Sequence, residues 1–196
     1  LAPWAEVCYF SDAQWWGWHQ RRPEFVFFHG QKCSIQNSAA NIGDLTVHIL
    51  RNTHEQHGYG LSSDPGSITS GRSSGFQALN LAYLAGAKLM LLVGYDNKPG
   101  ADGRSHWFGE HPRPVPAAAW DYFRKGFTAA ETPLIDAGVR VINCTPGSAI
   151  DSFEKMSLPE ALKVVSGLVS PPPSDPSSAA ARSCALLRSA PSLEAV

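Results

Sequence analysis

A chain of 196 residues with 43% hydrophobic and 17% charged side chains has the size of one α/β domain with a substantial core, which excludes the low-hydropathy profile of a disordered protein. Its 16 basic and 17 acidic residues leave a net charge of -1, so there is no overall positive field to hold a phosphate backbone or an anionic membrane, and general nucleic-acid binding is not expected. Cys8, Cys33, Cys144 and Cys184 form no C-x-x-C pair and suggest neither a zinc knuckle nor a disulfide framework; they read as small buried hydrophobes in a reducing compartment. No apolar run reaches the roughly 18 residues of a membrane span and no basic-then-apolar leader is visible, so a cytoplasmic location is expected. The chain opens on Leu1 and enters an apolar segment at once, which reads as a domain truncated at its N-terminus.

Short apolar runs alternate with helix-like stretches, the pattern of βαβ units and a mostly parallel sheet with helices on both faces. The expected strands are Glu6–Phe10, Phe25–Phe28, Leu45–Leu50, Lys88–Val93 and Val139–Asn143. Ser73-Ser74-Gly75 reads as the start of a helix whose apolar positions Phe76, Leu79, Leu81, Tyr83 and Leu84 give it a buried face, with Gly86 as its stop. The run LMLLV that follows is apolar at every position, as a central parallel strand requires, and it delivers Gly94-Tyr95-Asp96 at its carboxyl end. From Ala117 to Ala137, good helix formers carry Trp120, Phe123, Phe127 and Leu134 on one face; Pro133 is expected to bend or divide this helix and Gly138 to end it. VRVIN is a further buried strand, Cys144-Thr145-Pro146-Gly147-Ser148 a turn, and Ser157-Leu158-Pro159-Glu160 an N-capped helix start. The folded domain, residues 1–166, is expected to end near Ser166. Residues 167–196 are rich in Pro, Ser and Ala and read as a flexible tail.

In open α/β sheets, ligands collect beyond the carboxyl ends of the strands, where loops meet helix N-termini. Three segments are expected on that edge. Arg72, Ser73, Ser74 and Gly75 combine hydroxyls, small residues, free amides and a guanidinium, which suits an anion. An ordinary helix cap explains the same residues, and no Walker lysine or G-x-G-x-x-G accompanies them. Asp96, at a strand tip, can hold a divalent ion against substrate phosphates or accept a proton, and the loop Gly103-Arg104-Ser105-His106-Trp107 is long enough to return His106 over it as acid, base or charge partner for a phosphate. Against this, Asp96 alone also fits a turn or capping role. Asp12 follows the first strand and precedes Trp15, Trp16, Trp18 and His19. Three tryptophans so close cannot all face inward on one helix, so at least one is expected at a surface, where an indole can stack on a base or sugar; the competing reading is that the aromatics pack the helix onto the sheet. His54-x-x-His57, beside Gly58 and Gly60, and the pair Glu110-His111 are weaker metal candidates. No G-x-S-x-G elbow or triad supports a hydrolase.

The strings LAPWAEV, SDAQWWGWH, SSGFQALNLAYLAGAKLMLLVGYD, GRSHWFGEHP and VRVINCTPGSAIDSFEKMSL, in order along roughly residues 1–162, resemble a group of uncharacterised bacteriophage and prophage α/β proteins. More distantly, the order helix, strand, G-x-D and later G-x-x-H is similar to the 6-hydroxymethylpterin diphosphokinase MptE-like family and to Rossmann-like bacterial sialyltransferases. The resemblance implies a Rossmann-like, nucleotide-handling α/β domain, with Ser74 and Gly75 at the phosphate or nucleotide end and Asp96 and His106 at the reacting end. Such families carry a glycine-rich nucleotide loop in their first βα unit; the given sequence starts without one, so part of the ligand site is expected to lie upstream of Leu1. The implied function is a nucleotide-dependent transferase moving a diphosphate or a glycosyl group. Its donor would be a small-molecule nucleotide or nucleotide-sugar, bound with magnesium at Asp96. The alternative is a non-catalytic phage-encoded binding or assembly protein that keeps the fold.

Overall fold

In the computed structural model, which describes residues 4–35, 46–53, 59–105 and 115–168, strand β1 (Val7–Phe10) leads into helix α1 (Ala13–His19). Asp12 opens that helix by accepting hydrogen bonds from the amides of Gln14 (2.8 Å) and Trp15 (3.3 Å), which satisfies two of the donors a helix start leaves free. Trp16 is buried and stacks on Phe10 at 4.6 Å, whereas Trp18 is 45% exposed, so packing and surface roles divide among the tryptophans.

The expected strand Phe25–Phe28 is instead the end of a short helix, α2 (Pro23–Val26), with Pro23 at its start, and the turn that follows it. Phe25 and Phe28 are buried while Val26 and Phe27 between them are exposed, a helical spacing rather than a strand alternation. The strand comes later as β2 (Gln31–Ile35). It pairs in parallel with β1 on one side and with β3 (Val47–Asn52) on the other, and the two-residue β4 (Ser67–Ile68) completes the order β1-β2-β3-β4.

The second half of the chain is built from two helix-to-strand joints of one design. Helix α3 (Ser74–Leu84) leads through Gly86 into strand β5 (Leu89–Leu92), and helix α4 (Ala119–Asp136) leads through Gly138 into strand β6 (Arg140–Asn143). Both glycines take a left-handed φ, +85° and +66°, which costs a residue without Cβ little. The amides of Gly86 and Ala87 bond back to Tyr83 O and Ala82 O, and those of Gly138 and Val139 to Ile135 O and Leu134 O, so the last carbonyls of each helix are satisfied as the chain reverses. Pro133 does not divide α4: it sits inside one continuous helix, in the last turn, where its missing N–H removes a single bond.

A short strand, β7 (Glu154–Lys155), follows, and helix α5 (Leu158–Leu168) ends the described chain two residues beyond the expected limit. Glu160 accepts hydrogen bonds from the Ser157 amide (3.3 Å) and hydroxyl (2.6 Å), the capping arrangement its sequence suggested. Residues 169–196, which hold the rest of the expected tail and Cys184, lie outside the described residues.

Strands β5, β6 and β7 form a second parallel sheet in that order. Met90, Leu92 and Val141 share a core with Phe76 and Leu79 of α3 and with Phe127, Ala130 and Leu134 of α4. Leu89, Leu91 and Ile142 point the other way, onto Ala161 of α5. This sheet is therefore covered on both faces, which is why LMLLV carries no polar position. Phe10, Trp16, Phe25 and Val47 seal α1 and α2 against the first sheet. On the reverse face of β1 the Tyr9 hydroxyl donates to Gln77 Oε1 of α3 at 2.8 Å. The protein is thus an α/β structure with parallel sheets, and among the described residues no helix is long and apolar enough to cross a membrane. Cys8, Cys33 and Cys144 are free thiols; burial, with the neighbouring Cys8, pushes the Cys33 thiol up to about 11, as befits a packed rather than reactive group.

Candidate functional site

Beyond β5 the chain turns over the carboxyl end of the sheet through Gly94, Tyr95, Asp96 and Asn97, the last at φ +54°, a left-handed geometry that asparagine tolerates. The loop between β6 and β7 fastens this turn. Thr145 Oγ1 accepts the Tyr95 amide (2.9 Å) and lies 3.4 Å from Leu92 O as donor; Ser148 Oγ donates to Tyr95 O (2.6 Å); the Ala149 amide donates to Asp96 O (2.8 Å). Buried Asn143 braces the fastening loop from below, accepting the Thr145 amide (3.1 Å) and donating to Ile150 O (3.4 Å).

Tyr95 turns its ring inward, edge-to-face on Phe127 at 5.9 Å, and its hydroxyl donates to Gly75 O at 3.2 Å. Burial raises its pKa. The ring fills the space that a side chain at position 75 would need: a Cβ there would stand 3.0 Å from Tyr95 Cε1. Gly75 therefore admits Tyr95 to the start of α3. With Tyr95 held at its hydroxyl and at its face, Gly75→Ala is expected to lower stability by about 1 kcal/mol, overpacking outweighing alanine's better helix propensity. Urea unfolding checks this, and a gain in stability would mean that the ring yields.

Ser73 and Asp96 line one cleft of about 550 Å³ together with Asn97, Lys98, Asp102, Arg104 and Ser105 of the loop after β5, and with Trp120 and Phe123 of α4. Asp96 and Lys98 are exposed, and among the described residues neither side chain has an ion-pair partner. Asp102 is engaged: the Arg104 amide, then the Arg104 guanidinium, hold its carboxyl below the usual range, with Nε 2.5 Å from Oδ2. Asn97 Oδ1 is buried and has no hydrogen-bond partner among the described residues, an unmet acceptor at the cleft. Trp120 and Phe123, which also line the cleft, meet edge-to-face at 5.8 Å. Helix and loop are tied together by Arg124 of α4, which donates to Asn97 O at 3.0 Å and pairs with Asp121.

Of the other sequence candidates, Ser73 alone among the described residues shares the cleft. Ser73 turns its hydroxyl back onto its own helix, accepting the Phe76 amide at 3.4 Å, so it caps α3 while facing the cleft. Ser74 is the exposed first residue of α3. Arg72, at φ +56°, lays its guanidinium over the Tyr122 ring at 5.2 Å and does not line the cleft. Asp12 is used as the α1 cap and is not among the cleft residues. His106 lies outside the described residues, as do Glu110, His111, His54 and His57. Among the described residues no group of three or more His, Cys, Asp or Glu is placed to hold a metal. Asp96 is a single open carboxylate, which fits a magnesium ion whose other ligands are phosphate oxygens and water.

Sequence reasoning passed over Lys98, Trp120 and Phe123 as cleft residues and read Thr145 and Ser148 only as parts of a turn. The available signal was position: Lys98 lies two residues beyond a strand-tip aspartate, and two hydroxyl residues follow the neighbouring parallel strand at the same sheet edge. No protein-family model, curated protein or solved structure matches the chain.

Proposed function

We propose that the chain is a nucleotide-dependent transferase, moving a diphosphate or a glycosyl group, on a Rossmann-like frame related to the phage-type proteins its sequence resembles. The observation that carries this reading is the cleft in which the start of α3 meets an open carboxylate and an open ammonium, Asp96 and Lys98, at the end of a buried parallel strand. The frame is supported by parallel pairing throughout: β1, β2, β3 and β4 run in parallel in one sheet and β5, β6 and β7 in another, and the cleft lies beyond the carboxyl end of β5, the side on which ligands bind in parallel α/β folds.

In this reading Lys98 holds a donor phosphate as a point charge, aided by the amide end of α3. Asp96 orients the acceptor hydroxyl and takes its proton as the acceptor oxygen bonds to the transferred group, while the donor's bond to its nucleotide portion breaks and the nucleotide leaves as a phosphate anion. Asp96 is also the residue that would hold a magnesium ion, which would supply neutralisation of phosphate charge. Asn97 and the Thr145–Ser148 loop fix the backbone from which Asp96 and Lys98 project. The non-catalytic binding reading draws on the Ser73 hydroxyl being committed to its helix and on Tyr95 covering Gly75.

Calorimetric titration with pyrophosphate, nucleoside triphosphates and nucleotide-sugars, with and without magnesium, tests both readings. Lys98→Ala should weaken phosphate binding about tenfold, the loss of one charge-assisted hydrogen bond. Asp96→Asn should leave magnesium-free binding within a few-fold of wild type while removing turnover. Binding without turnover in the wild type would favour the binding protein, and no binding of any of these compounds would overturn the transferase and leave the binding or assembly reading standing.

A further inference from the structure

The aromatic wall of the cleft has no part in phosphate capture, yet it is built into the site. Trp120 and Phe123 belong to the first turns of α4, half-buried, with their rings locked edge-to-face at 5.8 Å and 82°. The same cleft is lined by Ser73, Asp96 and Lys98. Its volume of about 550 Å³ is in the range that small-molecule ligands occupy. Charged and aromatic side chains lining one cleft favour a ligand with an anionic end and a flat apolar face. Arg124, paired with Asp121 on α4, donates to Asn97 O at 3.0 Å and so ties the helix that bears Trp120 to the loop that bears Lys98.

We propose that Trp120 is the stacking platform for the nucleobase of the donor, with Phe123 setting the orientation of its ring, while the phosphates lie toward Lys98. This rests on the nucleotide reading of the same cleft and adds to it the placement of the two ends. The ring contact is tolerant of base identity because every base offers a π-face, so discrimination among bases has to come from polar groups at the ring edge. Edge-to-face contact with Phe123 leaves the indole oriented before the ligand arrives, so the stack forms without an ordering penalty on that side chain.

The experiment compares nucleoside 5′-monophosphates with ribose 5-phosphate, which has the same charged end and sugar but no base, by calorimetry on the full chain. In the wild type the monophosphates should bind about 5- to 150-fold tighter than ribose 5-phosphate, the range of one base–aromatic stack. Trp120→Leu should abolish that difference while leaving ribose 5-phosphate affinity unchanged, and Trp120→Phe should restore part of it. Equal wild-type affinity for both probes would overturn the platform while leaving the phosphate end standing. An equal fall for both probes in Trp120→Leu would show that Trp120 only shapes the cleft, and would overturn it too. If neither probe nor pyrophosphate binds the wild type, the nucleotide reading fails along with the platform. Tight binding of pyrophosphate with no gain from a base defeats the platform alone.

Discussion

Phe127→Ala should lower the stability of the folded chain by about 3–5 kcal/mol, the cost of removing a large aromatic from a packed interior and leaving a cavity. Phe127 is fully buried and meets three rings edge-to-face, Phe76 at 5.5 Å, Tyr95 at 5.9 Å and Phe153 at 6.4 Å. These rings come from α3, from the turn after β5 and from the approach to β7, so a single side chain joins the elements that converge under the cleft. The surroundings have little room to collapse: a Cβ on Gly126, next to it, would already stand 3.0 Å from the Phe76 ring. For a chain of this size the loss corresponds to a fall of roughly 6–20 °C in melting temperature. Tyr95 would lose its support in the same variant, so ligand affinity should fall as well. A drop of less than 1 kcal/mol in urea unfolding would mean that the three rings close over the gap.

Asn80→Ala should cost about 3 kcal/mol or more by a different route. Asn80 is fully buried in α3, its Oδ1 accepting the amides of Ser62 and Thr69 at 3.1 Å each and its Nδ2 donating to Ser62 O at 3.0 Å. Alanine would leave two amides and a carbonyl in the interior without partners, each worth about 1–3 kcal/mol when stranded. Because these groups belong to the segment leading into and out of β4, unfolding of that segment should also become easier. Hydrogen exchange at Ser62 and Thr69 reads this directly. Unchanged protection there, with global stability intact, would show that water replaces the asparagine.

How much of this could be read from sequence depended on whether a local rule coincided with tertiary burial. The α3–β5 and α4–β6 units were legible because their caps, apolar faces and terminal glycines all agreed. Strand β2 was not, since Gln31, Lys32 and Ser34 mask it; its identity comes from pairing with strands on both sides. The misreading of Phe25–Phe28 has the same root: four apolar residues in a row carry no period until one knows that only the first and last are buried. At the cleft, Ser73 was legible from its helix start and Asp96 from its strand end. The hydroxyls of Thr145 and Ser148 were not, because their role is toward a backbone about 50 residues earlier in the chain.

That backbone fastening divides the cleft into two parts with different thermodynamic characters. Tyr95 and Asp96 are gripped at the Tyr95 amide and at both carbonyls by one loop, so their backbone entropy is surrendered when the chain folds and little of it remains to be lost on ligand arrival. Among the described residues, the stretch from Gly100 to Arg104 is hydrogen-bonded only to itself, through Gly100 N to Arg104 O at 2.8 Å and the exposed Asp102–Arg104 pair. Contacts made at Asp96 should therefore appear mainly as enthalpy, while those made at Arg104 carry an ordering cost and are the ones that salt weakens first.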